Sequence, residues 1–174
     1  MADIKKQSWK PGTLIYPLPA VLVSCGATPE EYNLLTIAWT GTICTDPPMC
    51  YISVRKERHS YDIIRRTGEF AINLTTEAMA RATDWCGVRS GRNENKWEAT
   101  GLTPMANNHI SAPIIAESPL SICCKVRQVM ELGKTSSQAV AVRVDINLKI
   151  GRLFSKHTHP AIKVVQIEQG QFPV

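Results

Sequence analysis

Residues 33–60 read NLLTIAWTGTICTDPPMCYISVRKERHS, and this stretch decides what fold the chain can adopt. Two β-like runs, Asn33 to Cys44 and Met49 to Arg55, flank the turn-forming Asp46-Pro47-Pro48. Proline cannot donate to a ladder, and Asp-Pro favours a turn, so the pair reads as consecutive strands. In the first run Asn33, Ile37 and Trp39 fall on one face, and Thr36, Ala38 and Thr40 on the other. Such alternation suits a planar heterocycle, which needs flat apolar surface, main-chain amides for its heteroatoms and room for close approach. Trp39 taken alone also reads as a core aromatic.

The segment then passes from strand through Ser53-Val54-Arg55-Lys56-Glu57-Arg58 to His59-Ser60, where helical spacing begins. Free amides of a first helical turn, the positive end of the peptide dipoles and guanidinium groups together favour an oxyanion. A solvated basic turn with Ser60 as an N-cap is the alternative that spacing leaves open.

Outward from this stretch, Thr13 to Cys25 is apolar but interrupted by Pro17 and Pro19, which predicts an irregular edge strand. Ser60 to Arg66 predicts a short helix stopped at Thr67-Gly68, and Glu69 to Leu74 a strand. Thr75 is expected to cap a helix through Met79 to about Trp85, closed by Gly87. Val88 to Pro113 reads as a long loop with a helical turn near Asn95 to Ala99, and its length points to a functional excursion. Leu120 to Leu132, Gln138 to Ile150 and Ala161 to Ile167 predict further strands. The pattern is mainly β with two short helices and six or seven strands, a barrel rather than βαβ units. Neither G-x-G-x-x-G nor a P-loop is present, which argues against Rossmann and P-loop folds.

Whole-chain properties narrow the function. At 174 residues, 44% apolar and 20% charged, the chain is expected to form one globular domain spanning 1–174. A net charge of +5 suits an anionic ligand and is too small to imply nucleic acid. Six cysteines without C-x-x-C spacing read as reduced thiols, and no segment has the apolar length of a membrane span, so a cytoplasmic protein without membrane contact is expected. His157 and His159 lack a third partner in metal-ligand spacing, and Cys123 and Cys124 point to opposite faces of a strand, so no metal site is expected.

Several motifs in order carry a family resemblance. They are Asn33-x-x-Thr36-x-Ala38-Trp39, Asp46-Pro47-Pro48 and Ile52-Ser53-Val54-Arg55-x-x-Arg58-x-Ser60-Tyr61-x-Ile63. Gly68-Glu69-Phe70-x-Ile72-Asn73, Cys86-Gly87-x-x-Ser90-Gly91-Arg92 and Lys96-x-x-x-x-Gly101-Leu102 follow. Over residues 12 to 133 the chain resembles the flavin reductase-like, FMN-binding split-barrel family, and within it flavoredoxin-type proteins. The resemblance implies a Greek-key split β-barrel, a homodimer, and FMN as cofactor near the dimer interface. It places Asn33, Thr36, Ala38 and Trp39 along the ring and ribityl groups, and Ser53, Val54, Arg55, Arg58 and Ser60 around the phosphate. Lys96 would reach the flavin from the 87–101 loop, of the same or of the other subunit, as the cation that favours the reduced ring. No side chain is required as nucleophile or base, so no catalytic residue is expected.

The implied activity is an NAD(P)H:flavin oxidoreductase; the alternative is a flavoredoxin-type electron carrier between redox proteins. The chain departs from the family after Gly133, where Lys134-Thr135-Ser136-Ser137 stands in place of a histidine, and in its tail from about 145.

Overall fold

The structure is a computed structural model that describes residues 5–132, with the backbone of strands at 137–143 and 149–150. The strands are β1 (Val21–Cys25), β2 (Asn33–Ile37), β3 (Thr40–Thr45), β4 (Pro48–Arg55) and β5 (Glu69–Leu74), then β6 (Pro104–Met105), β7 (Ile114–Ile115), β8 (Leu120–Glu131), β9 (Ser137–Arg143) and β10 (Lys149–Ile150). Three helices, α1 (His59–Thr67), α2 (Ala80–Val88) and α3 (Lys96–Thr100), interrupt them.

One antiparallel sheet runs β2-β1-β5-β8-β9-β4-β3, with β10 beside the start of β8. Its terminal strands, β2 and β3, are consecutive in the chain and joined by Ala38 and Trp39 alone. The Ser53 amide donates to the Trp39 carbonyl at 2.9 Å, so β4 bridges the bend and the sheet closes on itself. The long β8 serves both sides: residues 121–125 pair with β5, and 125–131 pair with β9 across a bulge at 126–128. The result is a split β-barrel, mainly β with few short helices.

Alternation places the core. Val21, Val23, Leu35, Ile37, Ile52, Val54, Phe70 and Ile72 fill the barrel, and Tyr61, Ile63 and Ile64 of α1 pack against them. On the opposite face Leu22 and Leu34 meet Met79, Cys86, Trp97 and Ile115 from the excursion after β5. Asn73, fully buried, braces these layers: its Nδ2 donates to Leu22 O and Ser24 Oγ at 3.0 Å each, and its Oδ1 accepts from Ile115 N at 3.0 Å and Ser121 Oγ at 2.7 Å.

Several sequence expectations are corrected. Only Val21–Cys25 of the 13–25 run is a strand, and it lies inside the sheet between β2 and β5, buried on both faces by the barrel and by the helical excursion. Asn33 to Cys44 is two strands, broken at Ala38-Trp39 where the barrel bends. Thr75 does not cap α2; its hydroxyl donates to Ala20 O at 2.8 Å, and a 3-10 turn at Glu77–Met79 precedes the helix. Gly87 lies within α2 rather than closing it, at a point where a Cβ would stand 3.4 Å from Thr36. The 88–113 excursion contains α3, the expected helical turn near Asn95 to Ala99, capped by the Asn95 side chain, and the β6 strand that pairs with β7. Of the Gln138 to Ile150 run, β9 extends to Arg143 and β10 covers Lys149–Ile150, both paired with β8; residues 144–148 lie outside the described residues. Ala161 to Ile167, His157 and His159 lie outside the described residues.

The excursion is tied back through Glu69. Its carboxylate accepts from the Ser111 amide at 2.7 Å and the Ser111 hydroxyl, with Lys125 Nζ at 3.5 Å. Burial acts to raise the Glu69 carboxyl, but Ser111 and Lys125 outweigh it and hold the group below the ordinary range. A depressed carboxyl adds stability above its unfolded pKa of about 4.3, and that stability is lost as pH falls through the lower folded value. Glu69→Gln is therefore expected to lower Tm at neutral pH and to flatten its acid decline below about pH 4.3. Melting curves of both proteins from pH 3 to 7 check this, and parallel acid limbs would contradict it.

Candidate functional site

The site begins where β4 runs out. Arg58 N donates to Arg55 O at 3.1 Å and Tyr61 N to Arg58 O at 3.0 Å, so the chain turns tightly from strand into α1. Arg58 occupies the cap position without a side-chain capping bond, which leaves the amides of His59 and Ser60 at the helix start without intrahelical partners. Ser60 is thus the second helical residue, not the N-cap, and is 1% exposed. Its hydroxyl accepts from Asn33 Nδ2 at 2.7 Å and sits by the buried Cys25 thiol, whose pKa burial pushes up to about 12 against the opposing pull of Ser60. The hydroxyl is engaged internally; what Ser60 offers outward is its amide.

Two hollows meet at this corner. The first, about 360 Å³, is lined by Asn33, Leu35, Arg55, Glu57, Arg58, His59, Ser60, Arg89, Ser90, Gly91 and Lys96. The second, about 250 Å³, is lined by Leu35, Thr36, Ile37, Ala38, Trp39, Ser53, Val54, Arg55 and Arg58. They share Leu35, Arg55 and Arg58 and form one groove along β2 and the end of β4. Each of the ten residues singled out from the sequence lines it, though not always as expected. Val54 has its side chain in the barrel core, so it can contribute only main chain. Thr36 directs its hydroxyl to Thr83 O of α2. Trp39 is 41% exposed on the rim rather than in the core.

Lys96 is the sharpest departure from a surface lysine. It is 3% exposed and lines the first hollow of its own chain beside Asn33, Arg58 and Ser60. Its Nζ donates to Cys86 O at 2.8 Å, and Arg58 Nη1 lies 3.5 Å from Gly87 O. These carbonyls belong to the last turn of α2, where intrahelical donors run out and the dipole is negative. One helix end thus holds two cations toward the groove. Burial pulls the Lys96 ammonium below the usual lysine range; the Cys86 thiol opposes that pull and Arg58 adds to it. His59 is likewise held below its usual range, by burial first and then by the charges of Arg92 and Lys96, against Asp62.

The sequence assigned no role to Arg89, Ser90 or Gly91, which stood only in a loop and, for Ser90 and Gly91, in a family motif. Gly91 lies so close to β2 that a Cβ there would stand 2.1 Å from Asn33 Oδ1 and 2.7 Å from its Cγ. Gly91→Ala is expected to push Asn33 off Ser60 and weaken ligand binding in the groove about tenfold, the order of one lost hydrogen bond. Fluorescence titration measures the affinity, and an unchanged value would show that the Asn33 amide does not shape the groove.

A third hollow, about 550 Å³ and mostly apolar, adjoins the second through Trp39 and Ser53; Leu14, Ile15, Tyr16 and Tyr51 line it. Among the described residues no cluster of side chains could hold a metal ion, and no helix is long and apolar enough to cross a membrane.

A split barrel whose groove joins a cationic helix start to a flat strand face belongs to the flavin-binding class. The chain is a member of the flavin reductase like domain family, whose model matches residues 13–169. Among solved structures, flavoredoxin of Desulfovibrio vulgaris (Miyazaki F) is 32% identical with a TM-score of 0.76, covering 85% of this chain and 78% of that one. An FMN-binding protein of Thermus thermophilus, solved with bound 1-cyclohex-2-enone, is 20% identical with a TM-score of 0.69 and covers 83% and 78%, a likeness of fold alone. An uncharacterized protein of Archaeoglobus fulgidus is 27% identical over 119 residues, which span 68% of this chain and 66% of that protein.

Proposed function

We propose that the chain binds FMN in the groove of the first two hollows and serves as an oxidoreductase of the NAD(P)H:flavin reductase type. The observation that carries this reading is the adjacency of the two hollows: the cationic one at α1 and the one lined by Thr36, Ala38 and Trp39 share Leu35, Arg55 and Arg58. These residues fit FMN chemically. Arg55, Arg58 and the amides of His59 and Ser60 would hold the phosphate. The β2 main chain from Asn33 to Ala38, with Ser53 and Val54 opposite, would meet the ring and ribityl groups, with Trp39 as the apolar wall. Bound flavin supplies two-electron chemistry that no side chain of this groove needs to supplement.

The likeness to flavoredoxin favours a second reading, an electron carrier between redox proteins without a small-molecule substrate of its own. Anaerobic titration of the flavin-loaded protein with NADH and NADPH separates the two: bleaching of the flavin absorbance supports the reductase, and an unbleached spectrum the carrier. A purified protein that neither carries nor takes up FMN would overturn both.

The same reading includes a homodimer. The exposed Leu14, Ile15, Tyr16 and Leu132 beside Trp39 form an apolar surface that a two-fold partner would cover. Light scattering at micromolar concentration is expected to give twice the chain mass, and a stable monomer would contradict it. All six cysteines are free thiols, which suits a cytoplasmic protein.

A further inference from the structure

The third hollow lies between the 12–18 segment on one side and Trp39, Tyr51 and Ser53 on the other, and it shares Trp39 and Ser53 with the second. We propose that it holds a planar, uncharged aromatic electron acceptor of the quinone class, next to the face where the flavin reading above places the ring. The proposal rests on that reading and names its acceptor.

The composition of the wall sets the chemistry of the ligand. Among the described residues no charged side chain lines the hollow. Its polar side chains, Thr13, Tyr16, Tyr51 and Ser53, all end in hydroxyls, and Leu14, Ile15, Leu18 and Leu132 supply apolar surface between them. A hydroxyl donates one hydrogen bond and carries no charge. A quinone presents the matching pattern, a flat apolar body with carbonyl acceptors at its edges. A nicotinamide dinucleotide does not match, because its pyrophosphate needs cations, and Arg58, Arg89 and Lys96 line the first hollow instead. The third hollow is therefore assigned to the acceptor rather than to the donor. Its volume of about 550 Å³ is in the range that encloses a small organic molecule.

Tyr51 supplies the platform. Ile52, next in β4, points into the barrel core, so strand alternation turns the Tyr51 ring outward. Gly41 stands opposite it in register on β3, a terminal strand of the sheet. A Cβ at Gly41 would stand 3.1 Å from Tyr51 Cε1 and 3.5 Å from its hydroxyl, so the ring rests over the glycine. Thr40 Oγ1 donates to Tyr51 O at 2.6 Å and fixes the two strands at this point. With one side against the glycine, the ring gives its other side to the hollow, where Tyr16 and Trp39 are also exposed. Three aromatic side chains around one space favour a planar aromatic occupant over an aliphatic one.

The electrons balance within the reductase reading. A quinone takes two electrons and two protons and leaves as the hydroquinone, while the reduced flavin that gives them up returns to its oxidised form. The nicotinamide donor then restores the reduced flavin. The two-fold partner covers the outer side of residues 14–16 and closes the mouth of the hollow, leaving its interior to the ligand.

The test uses the full chain loaded with FMN and duroquinone as the probe, whose fully methylated ring does not add to the free thiols. Equilibrium dialysis against the oxidised protein without a donor reads binding apart from turnover, and saturable binding is expected. Tyr51→Ala removes the platform and Leu14→Trp fills the hollow. Each is expected to weaken duroquinone about tenfold, the order of one lost aromatic contact with its buried area, and to leave FMN affinity unchanged. Tyr51→Phe keeps the ring and is expected to retain most of the binding. With the flavin reduced beforehand by stoichiometric dithionite, its reoxidation by duroquinone is expected to slow in Tyr51→Ala and Leu14→Trp and to persist in Tyr51→Phe. Absence of saturable binding overturns the proposal, and together with a dimeric mass it assigns the hollow to side chains of the partner. Binding that survives both substitutions overturns it as well, as do variants that weaken FMN and duroquinone alike. A protein that takes up no FMN removes the flavin reading itself, and dialysis of the flavin-free chain then reads the hollow separately.

Discussion

Riboflavin is expected to bind at least about 100-fold more weakly than FMN, because it forfeits every contact at the cationic end of the groove. A hydrogen bond to a charged group is worth about 1.5–3 kcal/mol, so losing two costs about 3–6 kcal/mol. Each 1.4 kcal/mol is about a factor of ten in affinity, which sets the range near 100-fold to 10,000-fold. Arg55 and Arg58 are exposed, so solvent screening places the result toward the lower bound. The amides of His59 and Ser60 are fixed by the turn from β4 into α1 and lose no side-chain entropy on binding. Arg58→Ala is expected to narrow the gap by about tenfold, mostly by weakening FMN. Fluorescence quenching gives both dissociation constants. Equal values for FMN and riboflavin in the native protein would show that 53–60 is not the phosphate site.

What made this site legible in the sequence was local. The strand, turn and helix of 48–67 follow from Asp46-Pro47-Pro48 and from the switch of apolar spacing after His59, and both occur in the structure within a residue or two. The neighbours brought in from afar were not legible. Nothing around Thr36 in the sequence shows that its hydroxyl meets Thr83, or that Gly91 stands against Asn33. Both contacts depend on how the 75–118 excursion folds back over β1 and β2. That burial also explains why Val21–Cys25, read as an edge because of the prolines before it, is an interior strand. Its run of Val, Leu and Val without polar alternation was the available sign, since a strand covered on both faces loses its period-two pattern. The split of Asn33 to Cys44 left no apolar signature because the bend at Ala38-Trp39 is a requirement of barrel closure.

Lys96→Met is expected to lower the midpoint potential of the bound flavin while leaving the barrel folded. Reduction adds negative charge to the ring, and a cation in the same groove stabilises that charge more than it does the neutral oxidised form. Lys96 is buried, so its field is not dissipated by water as that of a surface lysine would be. At an effective dielectric near 20, a unit charge some 6–8 Å away is worth about 2–3 kcal/mol. For a two-electron couple that corresponds to a fall of about 40–60 mV. The same substitution removes the ammonium that caps Cys86 O at the end of α2, so part of its cost falls on stability. Lys96→Arg keeps the charge and a donor, and is expected to restore most of the potential, which a merely structural role for Lys96 would not predict. Redox titration of the three proteins at matched ionic strength, with circular dichroism to confirm the fold, is the measurement. An unchanged potential in Lys96→Met, with FMN affinity also unchanged, would confine Lys96 to capping α2 and leave the ring's charge to the amides of β2 and β4.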